Sequence, residues 1–178
     1  SCFQNSFLPF KPKVSEPTPV VLTGNQSVEL KENSVKNRIL VNLNWNLQKF
    51  DKGKASESVS AKKVDLDLGC LFELQDGTSG CLQALSAPYR GDLDSPPFIY
   101  YHGDDRSGNR QEGENMTING EKFANFKRIL IFALIYEGTE NWSNVDAVLS
   151  LDYGTDKIQV PMSSENSDDI VFAAALLE

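Results

Sequence analysis

Val41, Leu43, Trp45 and Leu47 are apolar, and the residues between and after them, Asn42, Asn44, Asn46 and Gln48, are polar. Successive side chains of a strand point to opposite faces, so this two-residue period describes a strand with one face buried and one wet, as in antiparallel sheets. A helix would scatter the same apolar groups around its circumference. The period recurs from Val64 to Leu74, breaks at Asp76-Gly77, a hairpin signal, and can return from Gly80 to Leu85. Val145, Ala147, Leu149 and Leu151 alternate again. Lys157 to Met162 and Ile170 to Leu177 supply two further short strands. Ile129 to Tyr136 is continuously apolar and short, which predicts a central strand covered on both faces. Asn119-Gly120 marks a turn, and Phe123 to Phe126 fits a single helical turn. No amphipathic helix of three turns is present. About eight or nine short strands separated by turn signals predict an all-β antiparallel sandwich with little helix. Within it, Leu43, Trp45, Leu66, Leu68, Ile131, Leu134 and Tyr136 are the expected core.

The chain has 178 residues, enough for one domain with a full core. Residues 1–18, with four prolines at or just after them and no periodicity, read as a flexible lead; residues 19–178 read as the sandwich. At 40% hydrophobic and 24% charged the composition is that of a globular chain. The net charge of −8 argues against nonspecific nucleic-acid binding, which needs clustered Lys and Arg, and suits a protein that attracts cations. No run approaches the roughly 18 apolar residues of a membrane helix.

Two acidic stretches carry the chemistry. In Val64-Asp65-Leu66-Asp67-Leu68-Gly69, Asp65 and Asp67 share one strand face and Val64, Leu66 and Leu68 share the other. Two carboxylates about 7 Å apart repel by roughly 0.6 kcal/mol in water and about 2 kcal/mol at an effective dielectric near 20. A cation turns that repulsion into attraction. The second stretch, Gly103-Asp104-Asp105-Arg106-Ser107-Gly108 followed by Gly113-Glu114, reads as a loop whose glycines let adjacent carboxylates converge. Oxygen ligands on an irregular loop favour calcium over the stricter octahedron of magnesium. The stretch is not an EF-hand: the twelfth residue counted from Asp104 is Asn115, not Glu.

Other motifs have plainer readings. His102 is the sole histidine and stands beside the acidic loop, yet a general base needs a positioned partner and zinc usually needs several His or Cys ligands. Cys70 and Cys81 could face each other across the hairpin, and two reduced thiols is the ordinary state in a reducing compartment. Arg90-Gly91-Asp92 spells an adhesion tripeptide that recurs by chance in loops. Three Asn-X-Ser/Thr sequons, at Asn25, Asn115 and Asn141, matter only in a secretory setting.

The ordered series Asp65-Leu66-Asp67-Leu68, Gly103-Asp104-Asp105-Arg106-Ser107-Gly108, Gly113-Glu114 and Arg128-Ile129-Leu130-Ile131-Phe132-Ala133 resembles the bacterial tellurium-resistance TerD family. Tyr136-Glu137-Gly138 and Asn141-Trp142 look closer to its TerA-type branch. Leu22 to Leu30 and Val41 to Trp45 resemble the family's opening strands. The resemblance covers residues 20 to 178. It implies a calcium-binding β-sandwich active in stress responses, with Asp65, Asp67, Asp104, Asp105 and Glu114 as metal ligands. Two positions depart from the family pattern. Asn46 follows Trp45 where an Asp is common, and Asn115-Met116 follow Glu114 where further acids are common. An amide still ligates through oxygen but adds no charge.

The expectation is therefore a calcium-binding, non-enzymatic stress-response protein of the cytoplasm, whose ion orders loops that present a surface to other stress or tellurium-resistance proteins, a membrane complex among them. The rival expectations are an interaction scaffold with a degenerate metal site, favoured by Asn46 and Met116, and a hydrolase using metal-bound water with His102.

Overall fold

The computed structural model describes residues 18–24, 26–30, 35–47, 64–84, 89–104, 113–163 and 168–178, with the backbone alone at 35–37, 46–47 and 104. Among these residues the chain forms eleven strands and two short 3₁₀ helices. The strands are β1 (Val20–Val21), β2 (Val35–Leu47), β3 (Asp65–Leu74), β4 (Ser79–Gln83), β5 (Gly91–Asp92) and β6 (Ile99–Asp104). They continue as β7 (Glu114–Asn119), β8 (Phe126–Glu137), β9 (Val145–Gly154), β10 (Lys157–Pro161) and β11 (Val171–Leu177). The two sheets have the orders β1-β10-β9-β2-β7-β6-β5 and β11-β8-β3-β4. This is the all-β sandwich that the alternation predicts. Among the described residues no helix is long and apolar enough to cross a membrane.

The period-two faces meet between the sheets. Ile39, Val41 and Leu43 from β2, and Val145, Ala147, Leu149 and Leu151 from β9, pack against Leu66, Leu68, Cys70 and Phe72 from β3. Ile129, Ile131, Ala133 and Ile135 of β8 complete that layer. Leu43, Leu66, Leu68 and Ile131 are fully buried, as expected. Trp142, also fully buried, donates its indole N–H to the Asp169 carbonyl at 2.8 Å and meets Phe172 edge-on.

Three core expectations are corrected. Tyr136 is 57% exposed, and Leu134 and Trp45 are only half-buried. With only two layers, β8 has one core face; Leu130, Phe132 and Leu134 lie on the other, half-covered face. At its end the ladder shifts, so that Leu66 pairs Ile135 and Asp65 pairs Glu137, and Tyr136 has no place in the inward alternation. The strand is therefore not covered on both faces. The strand count also exceeds the expected eight or nine, because β1 and β5 are two-residue edges and β6 and β7 flank the stretch read as loop.

Local signals behaved as their chemistry demands. Asp76-Gly77 is the β3–β4 turn: Gly77 sits at φ 87°, and the Asp76 carboxylate accepts from Thr78 N–H at 2.9 Å. Asn119 caps the 3₁₀ helix Gly120–Asn125, its side chain accepting from Glu121 N–H. The expected residues 1–18 lead lies, but for Thr18, outside the described residues.

Candidate functional site

The two acidic stretches come together at one end of the sandwich. β4 pairs β3 only from Gly69 to Glu73, so the ladder on that side of β3 stops one residue before Leu68. Glu114, first residue of β7 in the other sheet, fills the gap. Its Oε2 accepts the Leu68 N–H at 2.5 Å and the Tyr101 O–H at 2.8 Å. Glu114 is 2% exposed. It lies opposite Leu43, a core position, which aims its side chain between the sheets. A carboxylate in such a place is tolerable because charge-assisted bonds compensate its lost hydration.

Asp67 belongs to the same neighbourhood. It is 9% exposed, and its charge together with that of Glu114 acts on the Tyr101 hydroxyl. Burial first, then the adjacent Glu114 charge, pushes the Tyr101 phenol well above its ordinary range. Asp65 is half-exposed on the same face of β3 as Asp67, as predicted. Trp45 Nε1 donates to the Val64 carbonyl at 3.0 Å and pins the chain just before Asp65.

Asp104 is not in a loop, as the sequence reading had it. It is the last residue of β6 and pairs Glu114 across the ladder. The physical reason is that Ile99, Tyr101, Met116 and Ile118 alternate as core residues on two strands. Flanking charges and glycines mask that pattern. The register of β6 slips between Tyr101 and Gly103, and Gly103 has φ 77°, so a bulge re-aims the strand end. Gly113, at φ 95°, approaches the Leu43 carbonyl too closely for any side chain. Both glycines are thus demanded by the way the chain enters and leaves 105–112. The Asp104 side chain and the whole of Asp105 lie outside the described residues.

The remaining motifs make contacts within the fold. His102 Nε2 lies 2.6 Å from Thr117 Oγ1, and its ring meets Tyr100 edge-on. Arg90 Nη1 donates to the His102 carbonyl at 2.6 Å across Gly103, and Asp92 accepts from the N–H groups of Asp94 and Ser95 at 2.7 Å each. Both charged ends of the Arg-Gly-Asp tripeptide therefore hold the backbone that frames β6. Asn115 accepts from Asn42 Nδ2 at 3.0 Å within the sheet. Cys70 and Cys81 are free thiols. Cys70 pairs Leu82 and Cys81 pairs Leu71, so the two thiols point to opposite faces, and burial pushes Cys70 up to about 12.

Chemically, the site offers oxygen donors around a buried phenol, a set suited to a hard cation. Among the described residues no three His, Cys, Asp or Glu side chains converge on one point. Asp65, Asp67 and Glu114 therefore do not by themselves form a metal-holding group. Tyr101 was not foreseen in the sequence. The signal was available: it alternates with Ile99, and a buried Tyr hydroxyl usually has a partner.

This is a two-sheet all-β domain whose sheets are joined at one end by a buried carboxylate next to an acidic strand. The chain is 37% identical over 114 residues to the tellurium resistance protein TerA of an Alcaligenes species, a match covering 64% of this chain and 33% of that protein. That similarity supports a relationship to the TerD/TerA-like tellurium-resistance proteins. It spans about a third of the length of that curated relative. No protein-family model matches the chain. The crystal structure of SAV2460, a protein of unknown function, has the same fold, with TM-score 0.51 and 14% identity over 76% of each chain. A homologue of telluride resistance protein (TerD), SCO6318 from Streptomyces coelicolor A3(2), aligns with TM-score 0.43 and 17% identity over 68% of each chain.

Proposed function

We propose that this domain is a calcium-binding, non-enzymatic stress-response module of the tellurium-resistance type. Asp65, Asp67, Asp104, Asp105 and Glu114 hold the ion, and the calcium-ordered end of the sandwich presents a surface to other resistance or stress proteins, including any at a membrane complex. The observation that carries the reading is the buried Glu114, which ties β7 to Leu68 of the acidic strand β3 and, together with the charge of Asp67, acts on the Tyr101 hydroxyl. An ion there would reinforce a tie between β3 and β7 that the Glu114–Leu68 bond already makes in part. Such an ion would stabilise the fold by about 2.7 kcal/mol at a hundredfold excess over its dissociation constant.

The non-enzymatic reading rests on the engagement of His102 with Thr117 and of Tyr101 with Glu114. The test is thermal melting with and without calcium. The intact chain should melt higher in calcium, and Asp67→Ala and Asp104→Ala should abolish the rise while barely moving the metal-free melting point. Full retention of the response in both variants rejects these ligands. Absence of any response in the parent chain favours the scaffold reading.

A further inference from the structure

The two sheets are unequal. Among the described residues one has seven strands and the other four, with β11 at the edge of the smaller sheet. The inner face of the larger sheet therefore runs past β11 toward β10 and β1. Residues 22–24 and 26–30 pass beside this overhang, but a slot of about 840 Å³ remains between them and β11. Five consecutive residues of β11, Ala173 to Leu177, line it, so the slot follows the strand edge. Its floor is apolar, formed by Leu151, Ile158 and Val160 of the larger sheet, and Leu130, on the outer face of β8, borders it. Its rim carries Glu29 and Glu178, both exposed.

The dimensions match one missing strand. A strand residue occupies about 3.3 Å of rise, ~4.8 Å of sheet width and ~10 Å between sheets, or about 160 Å³, so the slot holds roughly five residues. Edge strands are normally protected by charges, proline or shortness. The outer edges β1 and β5 of the larger sheet are two residues long. β11 is seven residues of Val-Phe-Ala-Ala-Ala-Leu-Leu, without charge or proline, and its one irregularity is a bulge between Ala173 and Ala175.

We propose that this slot is a peptide-binding site in which an extended segment of a partner protein adds as a fifth strand beside β11. The segment has apolar residues at alternate positions, which enter between the sheets, and Lys or Arg at its flanks, which meet Glu29 and Glu178. Main-chain bonds to β11 supply affinity and the alternate pockets supply selectivity, as in other strand-addition complexes. Among the described residues none of the candidate calcium ligands lines the slot, so peptide binding is tested separately from the metal.

The test uses the full chain and a labelled peptide, Lys-Lys-Val-Thr-Val-Thr-Val-Lys-Lys, read by fluorescence polarisation and hydrogen exchange. Saturable binding should slow exchange at residues 171–177. N-methylation of alternate peptide amides along one edge should weaken binding by about tenfold or more. Glu29→Lys combined with Glu178→Lys, which alters exposed groups only, should weaken this peptide and favour its Glu-flanked counterpart. Three results overturn the proposal: no binding at millimolar peptide, equal binding of the N-methylated peptide, or protection that misses β11. A concentration-dependent dimer that the peptide fails to dissociate would assign the slot to a second copy instead, and would also overturn it.

Discussion

Replacing Glu114 with Ala tests the joint between the sheets. The substitution leaves two buried donors, the Leu68 N–H and the Tyr101 O–H, without the oxygen they share. Each stranded donor costs about 1–3 kcal/mol. The variant also removes a buried carboxylate that was itself expensive to desolvate, which offsets part of the loss. The expected net destabilisation is about 2–4 kcal/mol. With a urea slope of about 2 kcal/mol per molar, the midpoint should fall by roughly 1–2 M at unchanged slope. Tyr101→Phe should cost less, about 1 kcal/mol or below, because Leu68 keeps its acceptor. The double variant should show positive coupling rather than the sum. A Glu114→Ala change below about 0.5 kcal/mol would mean that this bond carries no structural load.

Three further outcomes follow from the same contacts. A Cβ at Gly69 would run into the Phe132 ring, which lies across that glycine, with Phe132 Cε2 2.7 Å away. Gly69→Ala should therefore destabilise by about 1–3 kcal/mol, and Phe132→Leu should rescue much of it, measured by denaturant titration. Leu66→Ala, at a fully buried position, should cost about 2–5 kcal/mol by the same assay. The Tyr101 phenol is raised in the fold, so its contribution is fully present below the unfolded tyrosine value near 10 and is lost as pH rises through the folded value. Stability should begin to fall above pH ~10, and ultraviolet titration should show one tyrosine ionising last or only on unfolding. Tyr101→Phe should remove that part of the alkaline loss.

The fold was legible wherever a strand kept one wet face. β2, β3 and β9 announce themselves because Asn, Asp and Ser alternate with Leu, Val and Trp. β6 and β7 escaped notice because glycines and acids at their ends, needed for the bulge at Gly103 and the close approach at Gly113, look like loop signals. β8 misled in the opposite way. A continuous apolar run suggests two covered faces, yet its second face is an outer surface on which Phe132 shields Gly69 and Tyr136 is exposed. For the site, Asp67 and Glu114 could be read from residue type and spacing. That they are buried, and that a tyrosine bonds Glu114, could not: both follow from how far β4 extends along β3, which no local pattern encodes.

Terbium titration tests the calcium reading most directly, because this hard trivalent ion takes the oxygen ligands calcium takes, and Tyr101 stands beside the proposed ligand Glu114 to sensitise its emission. The account predicts emission on excitation of the aromatic residues that saturates with terbium, is displaced by calcium, falls in Tyr101→Phe and is lost in Asp67→Ala. Emission that calcium does not displace, or that persists undiminished in Asp67→Ala, would contradict it.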